Sequence, residues 1–183
     1  MVGLWRRIRL DSASNIRTWK FSWPTSRSRN RMHSDSKREA LRHLLATVAY
    51  RGAVAIADAP ENFAEFRVHN ETRTPGELLA HIGDLLEGSL YLCQGELVYL
   101  TSSPLPWAEE VDRFSSAIKQ LDSYLSSKSE IACPVEKLIQ GPIGDALTHV
   151  GQIVMLRRIA GKPVQSGGYF EAEIVPGESS RIR

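Results

Sequence analysis

The sequence predicts an all-α protein, a four-helix bundle with a short irregular C-terminal tail, on three observations. Apolar residues recur three and four positions apart in four long stretches between residues 35 and 161. Proline falls between those stretches or at their first positions. Strand signal is almost absent, and no internal repeat or second core follows. A chain of 183 residues fits one domain with an appended tail. Helices that share a core in so short a chain favour an antiparallel bundle.

The first stretch opens at Asp35, where Asp35 or Ser36 suits the N-cap, and carries Leu41, Leu44, Leu45, Val48, Ala55 and Ile56. Ala59-Pro60 ends it, and residues 61–73 form a polar connector in which Phe63, Phe66 and Val68 can pack locally. The second helix begins with the clearest local signal in the chain. Thr74-Pro75-Gly76-Glu77 supplies a Thr cap, a proline at the first helical position and a glutamate at the third, which is a capping box. Leu78, Ile82, Leu85, Leu86 and Leu92 carry that helix to about Gly95. The third helix spans roughly Pro106 to Leu125 on Val111, Phe114, Ile118, Leu121 and Leu125, with Glu109, Glu110, Asp112 and Arg113 expected on a solvated face. Pro134 to Gln140 reads as a short helical turn. Pro142 then opens the fourth helix, which Gly161 closes after Arg157 and Arg158. One β-like run lies near Phe170 to Val175.

Net charge is +2, yet residues 1–31 hold eight basic residues against one acid, Asp11, leaving the remainder with fifteen basic and twenty acidic residues. Three of the four tryptophans, Trp5, Trp19 and Trp23, also lie there. This leader lacks the apolar segment of a secretory signal. Its Arg- and Ser-rich composition is that of transit peptides and of basic arms that bind nucleic acid or anionic membranes. The expected division is a basic, disordered leader over 1–34, a helical domain over 35–176 and a tail over 177–183, with Met32 as an alternative chain start. The acidic domain argues against nucleic acid as its partner. No run approaches the roughly 18 apolar residues of a membrane span. Cys93 and Cys133 form neither a C-x-x-C pair nor a disulfide framework, so both are expected as buried thiols in a reducing, cytoplasmic setting.

Candidate chemistry lies on helices two and four. His81 sits on the apolar stripe of Leu78, Leu85, Gly88 and Leu92, as a core histidine or a ligand. Asp145 and His149 are one turn apart and about 40° apart around the fourth helix, close enough for both to reach one ion. His81, Asp145 and His149 together make a two-histidine, one-carboxylate site for a divalent ion such as zinc, nickel or iron, with positions left for water or substrate. Asp84 and Gln152, three residues from proposed ligands, are candidates to orient them. Gly144, Thr148 and Gly151 form a small-residue flank expected to take a closely packed backbone. His43 and Tyr50 share one side of the first helix and are expected to pack there or face the bundle mouth. Tyr169 and Phe170 are expected to cover the site or anchor the tail. No role falls to His33 or His69.

The segments RTPGELLAHIGDLLEG and GPIGDALTHVGQIVMLRRIAG resemble the DinB/YfiT-like superfamily of metal-dependent helical bundles, over roughly Lys37 to Val175. The H-x-G-Q element with the upstream histidine is the most specific part of the resemblance. It implies a divalent metal held by His81 and His149, together with the position one turn before His149. That position is Asp145 here, where the commonest pattern has histidine, which leaves metal identity open. The resemblance also implies a homodimer and thiol-dependent transfer or isomerisation with a low-molecular-weight thiol such as bacillithiol or mycothiol. No general base or nucleophile beyond the metal site stands out. The expectation is a metal-dependent protein that activates water or a thiol for hydrolysis or thiol transfer to a small molecule. The alternative is a non-catalytic binding or stress-response bundle with a degenerate site, in which Asp145 and His149 bond to each other or to water.

Overall fold

In the computed structural model the described residues are 6–7, 17–20, 31–165 and 168–178. Helices α1 (Arg31–Ile56), α2 (Pro75–Cys93), α3 (Trp107–Ser126) and α5 (Gly144–Ile159) dominate, with a single turn, α4 (Val135–Leu138), before α5. The strands are short: β1 (Arg6–Arg7), β2 (Arg17–Lys20) and β3 (Glu96–Tyr99). The described protein is therefore mostly helical, as expected. Among the described residues no helix is long and apolar enough to cross a membrane.

Local chemistry explains the helix ends. Thr74 Oγ1 accepts from the Glu77 N–H at 3.2 Å, and Glu77 Oε2 accepts from the Thr74 N–H at 2.7 Å, completing the capping box. Gly161, with φ of 78°, follows α5, and its N–H donates to the Arg158 carbonyl. Helix α1 differs from expectation: it begins at Arg31, so Asp35 and Ser36 lie inside it rather than at its cap. Between α4 and α5, residues Ile139–Ile143 make one wide turn in which Gly141 leaves helical geometry.

The four long helices pack in a ring, α1 on α3, α3 on α2, α2 on α5 and α5 on α1. Leu41, Leu45 and Val48 of α1, Ile82 and Leu86 of α2, Phe114 and Leu121 of α3, and Ala146 and Ile153 of α5 are all buried in one core. The connector contributes Phe63, whose ring meets Trp107 edge-on at 5.6 Å, while Val68 is exposed. Ion pairs and capping guanidinium groups tie the ring together. Arg42 grips Asp122 with two bonds of 2.9 and 3.1 Å, joining α1 to α3. Arg38 donates to the Leu125, Ser127 and Ser129 carbonyls at the end of α3. Arg157 is buried and donates to the Ala55, Ala57 and Asp58 carbonyls at the end of α1.

β2 runs antiparallel to both neighbours, with Arg17 opposite Tyr99 and Lys20 opposite both Glu96 and Arg6. Two segments of the leader are thus paired strand, where no regular structure was expected. The β-like run near the C-terminus is not a strand: residues 169–171 form a turn and Phe170 is fully exposed. Among the described residues no cross-strand partner is present there to satisfy an extended backbone.

Candidate metal centre

His81 lies in the second turn of α2, and Asp145 and His149 in the first two turns of α5, so the ring of helices makes their elements neighbours. One ligand atom from each residue falls within 4.8 Å of the others. Asp145 Oδ2 is 3.7 Å from His81 Nε2, and Asp145 Oδ1 is 3.4 Å from His149 Nε2. The two rings meet edge to face at 4.8 Å between centroids. Side-chain exposure rises from 12% at His149 to 29% at His81 and 49% at Asp145, so the group opens to solvent on its carboxylate side.

The donor set fits a divalent ion. Ligand atoms about 2.0–2.2 Å from a tetrahedral ion stand about 3.3–3.6 Å apart; the two Asp145 contacts, one on each carboxylate oxygen, lie close to that spacing, and the set as a whole, within 4.8 Å, would draw in on an ion. Those distances are long for hydrogen bonds. Among the described residues neither the Asp145 carboxylate nor the His81 ring makes one. Burial holds the His81 pKa below its ordinary value, with the charges of Arg73 and His149 adding to it and Asp145 and Asp84 opposing. The imidazole is therefore neutral at pH 7, as a ligand must be. His149 Nδ1 is 2.8 Å from Gln152 Oε1. An amide oxygen accepts, so in the neutral ring this contact places the proton on Nδ1 and turns the Nε2 lone pair toward Asp145. Three lone-pair donors converge without satisfying one another, and this group can hold a metal ion.

Gln152 thus contacts the His149 ring, whereas Asp84 is committed elsewhere. Its carboxylate accepts from the Ser102 N–H and hydroxyl at 2.9 and 2.7 Å and from Arg113 at 2.5 Å, and it reaches His81 only through space as charge. The same network corrects the expected solvated face of α3 at Glu110 and Arg113, while Glu109 and Asp112 are exposed as expected. Arg113 also pairs with Glu87, and Glu110 is fully buried, with its Oε1 accepting from the Leu105 N–H and its Oε2 3.8 Å from Arg113. Bonds to Glu87 and Asp84 raise the Arg113 pKa, so its charge is permanent.

A cleft of about 710 Å³ adjoins the group, lined by His81, Asp145, His149 and Gln152 together with Thr72, Arg73, Leu78 and Met155. Thr148 and Gly151 also line it and are exposed. The expected backbone packing is found at one end of that flank only: a Cβ at Gly144 would lie 2.8 Å from the Ile139 carbonyl oxygen, whereas one at Gly151 would meet nothing within 4 Å. Thr148 and Gly151 border open space because α5 turns this part of the flank toward the cleft rather than toward a helix. A second recess of about 770 Å³ reaches His81 and Asp145 from the side of β3 and the wide turn.

The other candidates sit elsewhere. His43 is exposed on α1, and Tyr50 lines a separate cavity with Ala53 and Ile118. Tyr169 lies under the Arg51 guanidinium at 3.9 Å and so anchors the tail to α1. His69 Nδ1 accepts locally from the Glu71 N–H, and the side chain of His33 falls outside the described residues. Arg73 was missed: it stands in a polar connector, and its only sequence signal is its place just before the α2 cap. Comparison with protein-family models, curated proteins and solved structures returned no match.

Proposed function

We propose that this chain is a DinB-like metalloprotein of four-helix-bundle type in which His81, Asp145 and His149 hold a divalent ion. Its reaction is hydrolysis, or thiol transfer, on a small molecule. The observation that carries this is the convergence of three mutually unsatisfied donor atoms from α2 and α5 beside an open cleft. The resemblance of the α2 and α5 sequences to DinB/YfiT-like bundles supports it. An ion bound there supplies Lewis acidity and lowers the pKa of a water or thiol at its open position. His81 contributes a neutral imidazole, and Gln152 fixes the tautomer of His149. Asp145, the most exposed of the three, supplies the negative charge. Among the described residues the cleft offers no other carboxylate, imidazole or thiol, so activation of the nucleophile rests on the ion. A low-molecular-weight thiol co-substrate and a homodimer belong to the same proposal.

Metal analysis of untagged protein is expected to find one zinc, nickel or iron ion per chain, lost in the His81→Ala, His149→Ala double variant. Stoichiometric metal that persists in that variant rules the site out. Gln152→Ala is expected to weaken metal affinity about 10–100-fold while leaving the fold intact. A melting temperature unmoved by zinc or nickel would favour the non-catalytic bundle instead.

A further inference from the structure

Arg73 is the last residue before the Thr74 cap of α2, and its exposed side chain lines the cleft that holds His81, Asp145 and His149. It also lines a smaller recess of about 320 Å³ that His81 shares. Among the described residues Arg73 has no hydrogen bond, ion pair or ring contact, whereas Arg67 and Glu77 beside it are paired. Arg67 bonds to the Thr72 carbonyl and to Glu77, and Glu77 is further held by Thr74. Glu71 lines the recess and makes no ion pair with Arg73. A divalent ion on one carboxylate and two neutral imidazoles carries a net single positive charge. Arg73 adds a second, and among the described residues nothing else lining the cleft opposes it. Leu78, Leu156 and the half-exposed Met155 supply an apolar wall beside these charges. The volume suits a small metabolite.

We infer that Arg73 is the anion-recognition residue of this cleft, and that the molecule taken there is a small organic acid or phosphate monoester with an apolar body. The guanidinium presents a planar fork that binds two oxygens of either group, while the rest of the molecule lies along Leu78 and Met155. This deepens the proposed metal function and rests on it for the reacting end of the substrate, though not for the anion.

Titration calorimetry on the full chain, zinc-loaded and zinc-free, tests it with 4-phenylbutyrate, phenyl phosphate and the uncharged 4-phenylbutyramide. Wild-type protein is expected to prefer the acid or the phosphate over the amide by roughly tenfold or more. Arg73→Gln abolishes the preference with zinc content unchanged, and Arg73→Lys keeps part of it. The tighter of the two anions identifies the substrate class. Equal binding of acid and amide, or a preference that survives Arg73→Gln, overturns the assignment and leaves the metal site standing. A preference lost in the His81→Ala, His149→Ala variant but kept in Arg73→Gln places the anion on the ion and also overturns it. Failure to take up zinc defeats the metal site alone. The zinc-free titration then decides for Arg73 by the same comparison.

Discussion

Glu110 stands four residues before Phe114 and therefore on the buried stripe of α3, although the charged residues Glu109 and Asp112 around it are solvated. That spacing was the available signal, outweighed by residue type. Composition cannot reveal that a guanidinium from the next turn and the Leu105 N–H wait at the buried position. The cysteines are the opposite case, where residue type and environment agree. Burial pushes the Cys93 thiol up to about 12 and the Cys133 thiol up to about 11. At pH 8 the thiolate fractions are then on the order of one in ten thousand and one in a thousand, against about a quarter for a free thiol. Native protein is expected to react with Ellman's reagent only at the rate of its unfolding, and both thiols to react at once in denaturant. Rapid native labelling at pH 8 would contradict this burial.

At the scale of elements, two helical glycines are expected to respond in opposite directions to the same change. A Cβ at Gly52 would lie 2.4 Å from the buried Phe114 ring, where α1 meets α3. Gly52→Ala is therefore expected to cost about 1–3 kcal/mol through overpacking. Gly151 borders the open cleft, so Gly151→Ala is expected to gain up to about 1 kcal/mol from helix propensity, with zinc uptake unchanged. Urea midpoints of the two variants check both signs. Sequence alone expected close packing at Gly151 instead. The periodicity of one helix does not say which of its flanks a neighbour occupies.

Across the whole molecule, arginines spanning distant parts of the chain hold the ring of helices closed. Arg157 satisfies carbonyls about a hundred residues away, and burial lowers its pKa with Asp58 opposing, while it remains a cation. Arg157→Ala is expected to lose about 4–5 kcal/mol, from the three charge-assisted bonds to the Ala55, Ala57 and Asp58 carbonyls at about 1.5 kcal/mol each. Exposed Arg158→Ala is expected to stay within about 0.5 kcal/mol of wild type. Because α1 and α2 both pack on α5, a weakened α1–α5 seam is also expected to lower zinc affinity without touching a ligand.

The amino-acid sequence by itself determined what depends on a few neighbouring residues: the four helical stretches, the Thr74–Glu77 cap, the stop at Gly161 and the pairing of Asp145 with His149 one turn apart. Each is a matter of helical period or of a backbone group satisfied within the same turn. Tertiary structure alone decided that α2 lies against α5, and so that His81 meets residues more than sixty positions later. It also decided that Arg73 faces their cleft, that Asp84 turns to Arg113, and that part of the leader pairs with β3. Those outcomes depend on which apolar faces fill one another and which buried charges find partners, a property of the closed ring and not of any segment in it.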